Sequence, residues 1–203
     1  MLSGLVDDTD FQKNLFTTQS NVLSALNTLS KTQSNSGLGD ISQSLRTNMI
    51  QYESFLSPQL VTGQVFEQST ANFKMSIIKL PANPNDFKYM SPTLNLTFPL
   101  STAVSPTSGP SFTIAGYKVS PFMGANLINQ TLLTNTTVYF AYRDGNGNYL
   151  NNSYITGNIV MNFSFPLANK VKGTVTCAYA GPSDTYWRND SCITKLYFGR
   201  DMI

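Results

Sequence analysis

Cys177 and Cys192 are the only thiols in a chain of 203 residues that contains no histidine. Those two facts bound the chemistry. Without imidazole, the usual general base, the usual activator of a Ser or Cys nucleophile and the commonest metal ligand are all missing. Two thiols alone supply half of a structural zinc site, and a redox pair stands two residues apart rather than fifteen. The pair therefore reads as a structural disulfide, which on the chain-entropy account contributes about 3 kcal/mol for a loop of this size. It would staple a hairpin between the strand-like runs 171–176 and 193–198, with Gly181-Pro182 at the turn and Trp187, the single tryptophan, packed over the bridge.

Oxygen ligands offer little more. Asp144-x-Asn146-x-Asn148 begins as a calcium loop begins, because a hard cation needs oxygen side chains at alternate positions. Tyr149 then stands where the sharp-turn glycine belongs and Ile155 where a bidentate glutamate belongs, so the stretch reads as a hairpin turn. The eleven acidic residues are scattered, with Asp7 and Asp8 near the start and Asp184 and Asp190 between the cysteines. A hydrolase built on paired carboxylates is the least supported class, and no cofactor, metal or glycine-rich phosphate cradle is expected.

The composition says where such a chain works. Apolar residues make up 41%, enough for a real core, while charged residues make up only 12%, about half the usual share. Net charge is +2 with no block of like charges, which gives no electrostatic case for nucleic acid or a membrane surface. No apolar run approaches the roughly 18 residues of a membrane span, and the first residues do not form a secretory signal. Six Asn-x-Ser/Thr sequons, at Asn95, Asn129, Asn135, Asn151, Asn162 and Asn189, all follow residue 90. Asn95 and Asn162 alternate with apolar neighbours, which sets them on the outward side of a strand, where a glycan must sit. Sequons and a disulfide agree on an oxidising, extracellular or cell-surface location. An exported chain without a signal is then expected to be a processed chain or part of a longer one.

Two kinds of element must position these residues. Over 10–31, Leu15, Val22, Leu26 and Leu29 recur at helical spacing, with Asp8 or Thr9 as cap; Ile41, Leu45, Met49, Tyr52 and Leu56 predict a second helix, capped by Asp40 and stopped near Pro58. From residue 66 the period becomes two. Phe73, Met75 and Ile77 alternate, then Leu94, Leu96 and Phe98, then Phe112 and Ile114 with Tyr117 and Val119, then Val138, Phe140 and Tyr142, and further runs follow over 159–165 and 174–179 and near Leu196. The expected fold is α+β: a helical hairpin over 1–65, then an antiparallel β-sandwich with one disulfide over 66–203.

In this layout the cysteine stretch resembles the first half of the GPS motif that closes a GAIN domain, the extracellular module of adhesion receptors and polycystin-1-like proteins. The family pattern is a strand ending in Cys, an aromatic, a variable loop, a Trp, a few polar residues and a second Cys. Here those are Cys177, Tyr179, Trp187, Arg188-Asn-Asp-Ser and Cys192. Asn162-Phe-Ser-Phe-Pro166 is similar to the strand and proline that precede the motif. The segments beginning at Phe73 and Leu94 are similar to early strands of the β subdomain. The family motif continues with two more cysteines and His-Leu before the Thr or Ser at which the chain cuts itself. This chain has neither further cysteines nor a histidine, and its helical part is shorter than the family's: either the motif is degenerate or the sequence stops before the cleaved strand, and as it stands the chain is expected to be a scaffold that does not self-cleave.

The resemblance implies a non-catalytic juxtamembrane module of a polycystin-like or adhesion-receptor-like protein, touching the membrane only through its parent chain. Its partner would be another protein segment or chain, added as a strand at a sheet edge near 171–179 and 193–198. The alternative is a glycosylated subunit, or a carbohydrate-binding adhesin domain, of a larger surface assembly.

Overall fold

The computed structural model describes residues 9–29, 38–81, 87–90, 94–98, 109–118, 137–150, 158–163, 177–179, 188 and 193. Among these residues two helices, α1 (Thr9–Leu29) and α2 (Leu38–Leu56), precede seven strands. A 3-10 turn over Ser57–Gln59, with Pro58 early in it, ends α2. The strands are β1 (Val65–Ser69), β2 (Phe73–Lys79), β3 (Phe87–Met90), β4 (Leu94–Phe98), β5 (Ser111–Tyr117), β6 (Thr137–Arg143) and β7 (Val160–Phe163). They form a four-stranded antiparallel sheet, in the order β1-β2-β5-β6, and a three-stranded one, in the order β3-β4-β7. The class is α+β.

The helices and the larger sheet share one core. Phe16, Leu23 and Leu26 of α1 and Leu45, Met49 and Leu56 of α2 meet Phe73, Met75 and Ile77 of β2 and Ala115 and Tyr117 of β5. Phe16 is fully buried at the middle: it meets Tyr52 edge-on at 5.1 Å, with Phe73 at 5.7 Å and Phe66 at 6.2 Å. Side chains alternate along a strand, so the even positions of β5 and β6 build a second apolar layer on the opposite face. Phe112, Ile114 and Tyr142 lie there with Leu80, and Leu150 and Ile159 pack against them. This explains why β5 is buried along both faces.

Several sequence expectations shift by a residue. The buried line of α1 runs through Phe16 and Leu23, with Leu15, Val22 and Leu29 at its half-buried margin. In α2 Ile41 is exposed, and Ser42 and Glu53 take buried places. Asp40 lies inside the first turn of a helix that starts at Leu38, so it acts on the helix dipole rather than as the cap. Two strands, β1 and β3, had no clear alternation of their own.

Candidate functional site

Where β6 ends under α2, the apolar core gives way to a buried ionic cluster. Glu53 and Arg143 are 1% and 2% exposed. Arg143 Nε donates to Glu53 Oε1 at 2.9 Å and Nη2 to Oε2 at 3.3 Å, a side-on fork that uses both carboxylate oxygens. Nη1 donates to the Gly147 carbonyl at 2.7 Å and Nη2 also reaches the Ile50 carbonyl at 3.4 Å. Tyr139, four residues back along the same face of β6, donates to Glu53 Oε2 at 2.7 Å and lies 2.9 Å from the Tyr149 hydroxyl. The guanidinium carbon sits 3.8 Å from the centre of the Tyr149 ring, within cation–π range.

The strand period explains the gathering. Positions 139, 141 and 143 point to the helices, and the tight turn after β6 brings Tyr149 back opposite Arg143. The turn is held by Asp144, whose carboxylate accepts from the Asn146 and Asn148 amides at 2.9 and 2.8 Å and from Asn148 Nδ2 at 3.2 Å. Gly147, at φ +86°, passes close against α2, and Ser54 Oγ donates to its carbonyl at 3.2 Å. The hairpin turn is as the sequence suggested. Asp144 spends its oxygens on the loop itself.

Electrostatics follow burial. Burial works against the charged form of Arg143, but the hydrogen bond and charge of Glu53 outweigh it and raise its pKa. Burial, then the Glu53 charge, push the Tyr139 hydroxyl well above its usual value. Lys79, 3% exposed, pairs in register with Ser111, which in turn pairs with Arg143. Burial pushes its pKa down, and the charge of Asp144 pulls it partly back. Its ammonium donates to the Ser57 carbonyl at 3.4 Å. Glu53 is thus consumed and shielded from solvent, so the cluster can lock a helix to a sheet but cannot act as a general base on an outside substrate.

A second polar tie secures α1. Asn72 Nδ2, in the turn between β1 and β2, donates to the Ser20 carbonyl at 2.7 Å, to Ser20 Oγ at 3.0 Å and to Ser24 Oγ at 2.7 Å. Beside it lies a groove of about 420 Å³ whose walls include Lys13, Thr17, Asn21, Gln68, Ser69 and Thr70. These side chains offer hydrogen bonds and one positive charge, with no ring on which a sugar could stack. Among the described residues no three His, Cys, Asp or Glu groups converge on a metal position, and no helix is long and apolar enough to cross a membrane.

Of the residues singled out in the sequence, Tyr179 and Arg188 come together. They form an antiparallel bridge, with each amide 2.8 Å from the other's carbonyl. Arg188 Nη2 and Nε also donate to the Tyr179 hydroxyl at 2.8 and 3.2 Å. Cys177 is half-buried two residues before the bridge. Asn162 stands exposed on β7. Asn95 lies on β4, and its backbone pairs directly with that of Asn162. Cys192, Trp187, Asn129, Asn135, Asn151 and Asn189, and the runs 171–176 and 194–198, lie outside the described residues.

Sequence reasoning passed over the cluster of Glu53, Tyr139, Arg143 and Tyr149. Its one signal was Glu53 at a helix position between Met49 and Leu56, both on the apolar stripe. No family model matches the chain, and no curated protein matches it in sequence.

Proposed function

We propose that the chain is a non-catalytic extracellular structural and interaction module, resembling a GAIN domain, that holds a neighbouring protein segment at the surface of a cell. The observation that carries this reading is the Tyr179–Arg188 bridge. It places an antiparallel pair inside the stretch that resembles the GPS motif, as a stapled hairpin requires. Residues two apart share a face of a strand. Cys177, two residues before Tyr179, shares the face that the bridge defines, and its disulfide with Cys192 is part of the proposal.

The finer architecture is part of the same proposal. Ile159, the residue before β7, packs half-buried against the second apolar layer of the large sheet, and on this contact rests the proposal that the two sheets form a sandwich. The buried Glu53–Arg143 fork supports a scaffold role, since it ties the helical hairpin rigidly to the sheet. The partner would add a strand along 171–179 or 193–198, through main-chain hydrogen bonds.

The test is expression in a glycosylating, oxidising secretory host, followed by peptide mapping without reduction. The expected products are a peptide pair cross-linked through Cys177 and Cys192 and glycan on sequon asparagines. Free thiols and bare asparagines in the secreted chain would remove the extracellular reading. Slow amide exchange along both flanks of 193–198 in the isolated chain would remove the strand-addition mechanism, because no free edge would remain.

A further inference from the structure

The register of the smaller sheet sets two of the six sequons directly against each other. Asn95 of β4 is the cross-strand partner of Asn162 of β7, and Met90 of β3 is the partner of Asn95. Direct partners occupy one face of a sheet. Positions 90, 95 and 162 thus form one row. The next row on that face, two residues along, holds Lys88, Thr97 and Val160. Thr97 is the hydroxyl residue of the Asn95 sequon, so that sequon keeps both its key positions on one side of the strand.

This face is exposed at its described positions except Thr97, which is half-buried. Asn162 and Lys88 are exposed, Met90 is 77% exposed and Val160 48% exposed. Large apolar side chains on the open face of a sheet invite association. Here they flank the paired asparagines: Met90 beside Asn95, and Val160 beside Thr97. Resting on the extracellular reading above, we propose that Asn95 and Asn162 form one composite N-glycosylation site, whose two glycans rise side by side and cover Met90 and Val160. The apolar C–H faces of the first sugars would lie on the methionine and valine. The sugars on β7 would also block the addition of a further strand beside Asn162, which directs any strand addition elsewhere.

The full chain, secreted from a glycosylating host, tests this through occupancy at each sequon and through binding of a hydrophobic dye. Glycan on both Asn95 and Asn162 is expected. So is a rise in dye binding and in aggregated material for the double variant Asn95→Gln/Asn162→Gln. Adding Met90→Ser and Val160→Thr to that double variant should return both readouts towards the parent, which a folding defect would not allow. Glycan on the other four sequons but not on this pair overturns the proposal and leaves the extracellular reading standing. Bare asparagines at all six overturn both. Occupied sites whose loss leaves dye binding and association unchanged overturn the shielding.

Discussion

Arg143 on β6 and Glu53 on α2 form a side-on ion pair, 2.9 Å between Nε and Oε1, with both side chains almost wholly out of solvent. They are 90 residues apart in the chain. The pair therefore fixes how the helical hairpin sits on the sheet. Removing one partner of a buried pair strands the other as an uncompensated charge and costs roughly 3–5 kcal/mol, whereas replacing both with apolar groups of similar volume is often near neutral. Glu53→Leu or Arg143→Met alone should each lower stability by about that amount, and Glu53→Leu/Arg143→Met together by much less than the sum. Chemical denaturation of the three variants measures this, and strict additivity would show that the pair is not coupled.

The turn that carries Arg143 against α2 depends on Gly147. Its φ of +86° is a left-handed conformation, and a Cβ added there would stand 2.6 Å from the Ser54 carbonyl and 2.9 Å from Pro58 Cγ. Gly63 has nearly the same φ, +84°, with open space around it. Gly63→Ala should lose only the left-handed strain, about 1 kcal/mol. Gly147→Ala adds a backbone clash at the helix–sheet interface and should lose about 2–4 kcal/mol. For a chain of this size each kcal/mol shifts the melting temperature by about 2–4 °C, so the two variants should separate clearly in a thermal melt. Equal losses would mean that the turn gives way without disturbing α2.

The strands and helices were legible wherever one face is apolar and the other polar. Phe73, Met75 and Ile77 announced β2, and Leu45, Met49 and Leu56 announced α2. Three features escaped for physical reasons. The centre of α1 lies at Phe16 and Leu23, and a stripe drawn through Leu15, Val22 and Leu29 catches only its margin, because a helical face is wide enough to hold both lines. β1 is the outer strand of its sheet, half-buried at Phe66 and Gln68 only, so its alternation is weak. The ionic cluster was hidden because Glu53 and Arg143 each look like solvent-facing charges until the fold brings partners 90 residues distant together. The pairing of Asn95 with Asn162 is likewise a property of sheet order, which no local pattern carries.

Asp144 separates the hairpin reading from a calcium reading. Its carboxylate already accepts three hydrogen bonds from Asn146 and Asn148. Hydrogen bonds to a charged acceptor contribute about 1.5–3 kcal/mol before the exposure of this loop is allowed for. Asp144→Ala should accordingly lower stability by about 1–2 kcal/mol, and millimolar calcium should leave the melting temperature of the parent chain unchanged. A melting temperature that climbs with calcium concentration, as mass action on a bound ligand requires, would return the loop to the metal reading.

Alkaline pH should unfold the chain through its tyrosines. Burial pushes Tyr52 and Tyr142 up to about 12, and lifts Tyr117 and Tyr139 well above the ordinary value near 10. Above pH 10 the unfolded chain therefore releases phenolic protons that the folded chain keeps. Fewer protons are bound in the unfolded state, so stability is whole below pH 10 and falls as pH rises towards 12. Lys79, lowered by burial, acts with the opposite sign near its ordinary value, but it is one group against these four and Tyr149, which burial also raises. Tyr52 isolates the effect, because its hydroxyl is buried without a hydrogen-bond partner among the described residues. Tyr52→Phe removes no bond and should be neutral or slightly stabilising at pH 7. It should also move the midpoint of alkaline unfolding to higher pH, since one raised phenol no longer drives the transition. Circular dichroism followed alongside tyrosinate absorbance checks both parts: the two signals should change together, and a Tyr52→Phe midpoint at or below the parent's would sink the account.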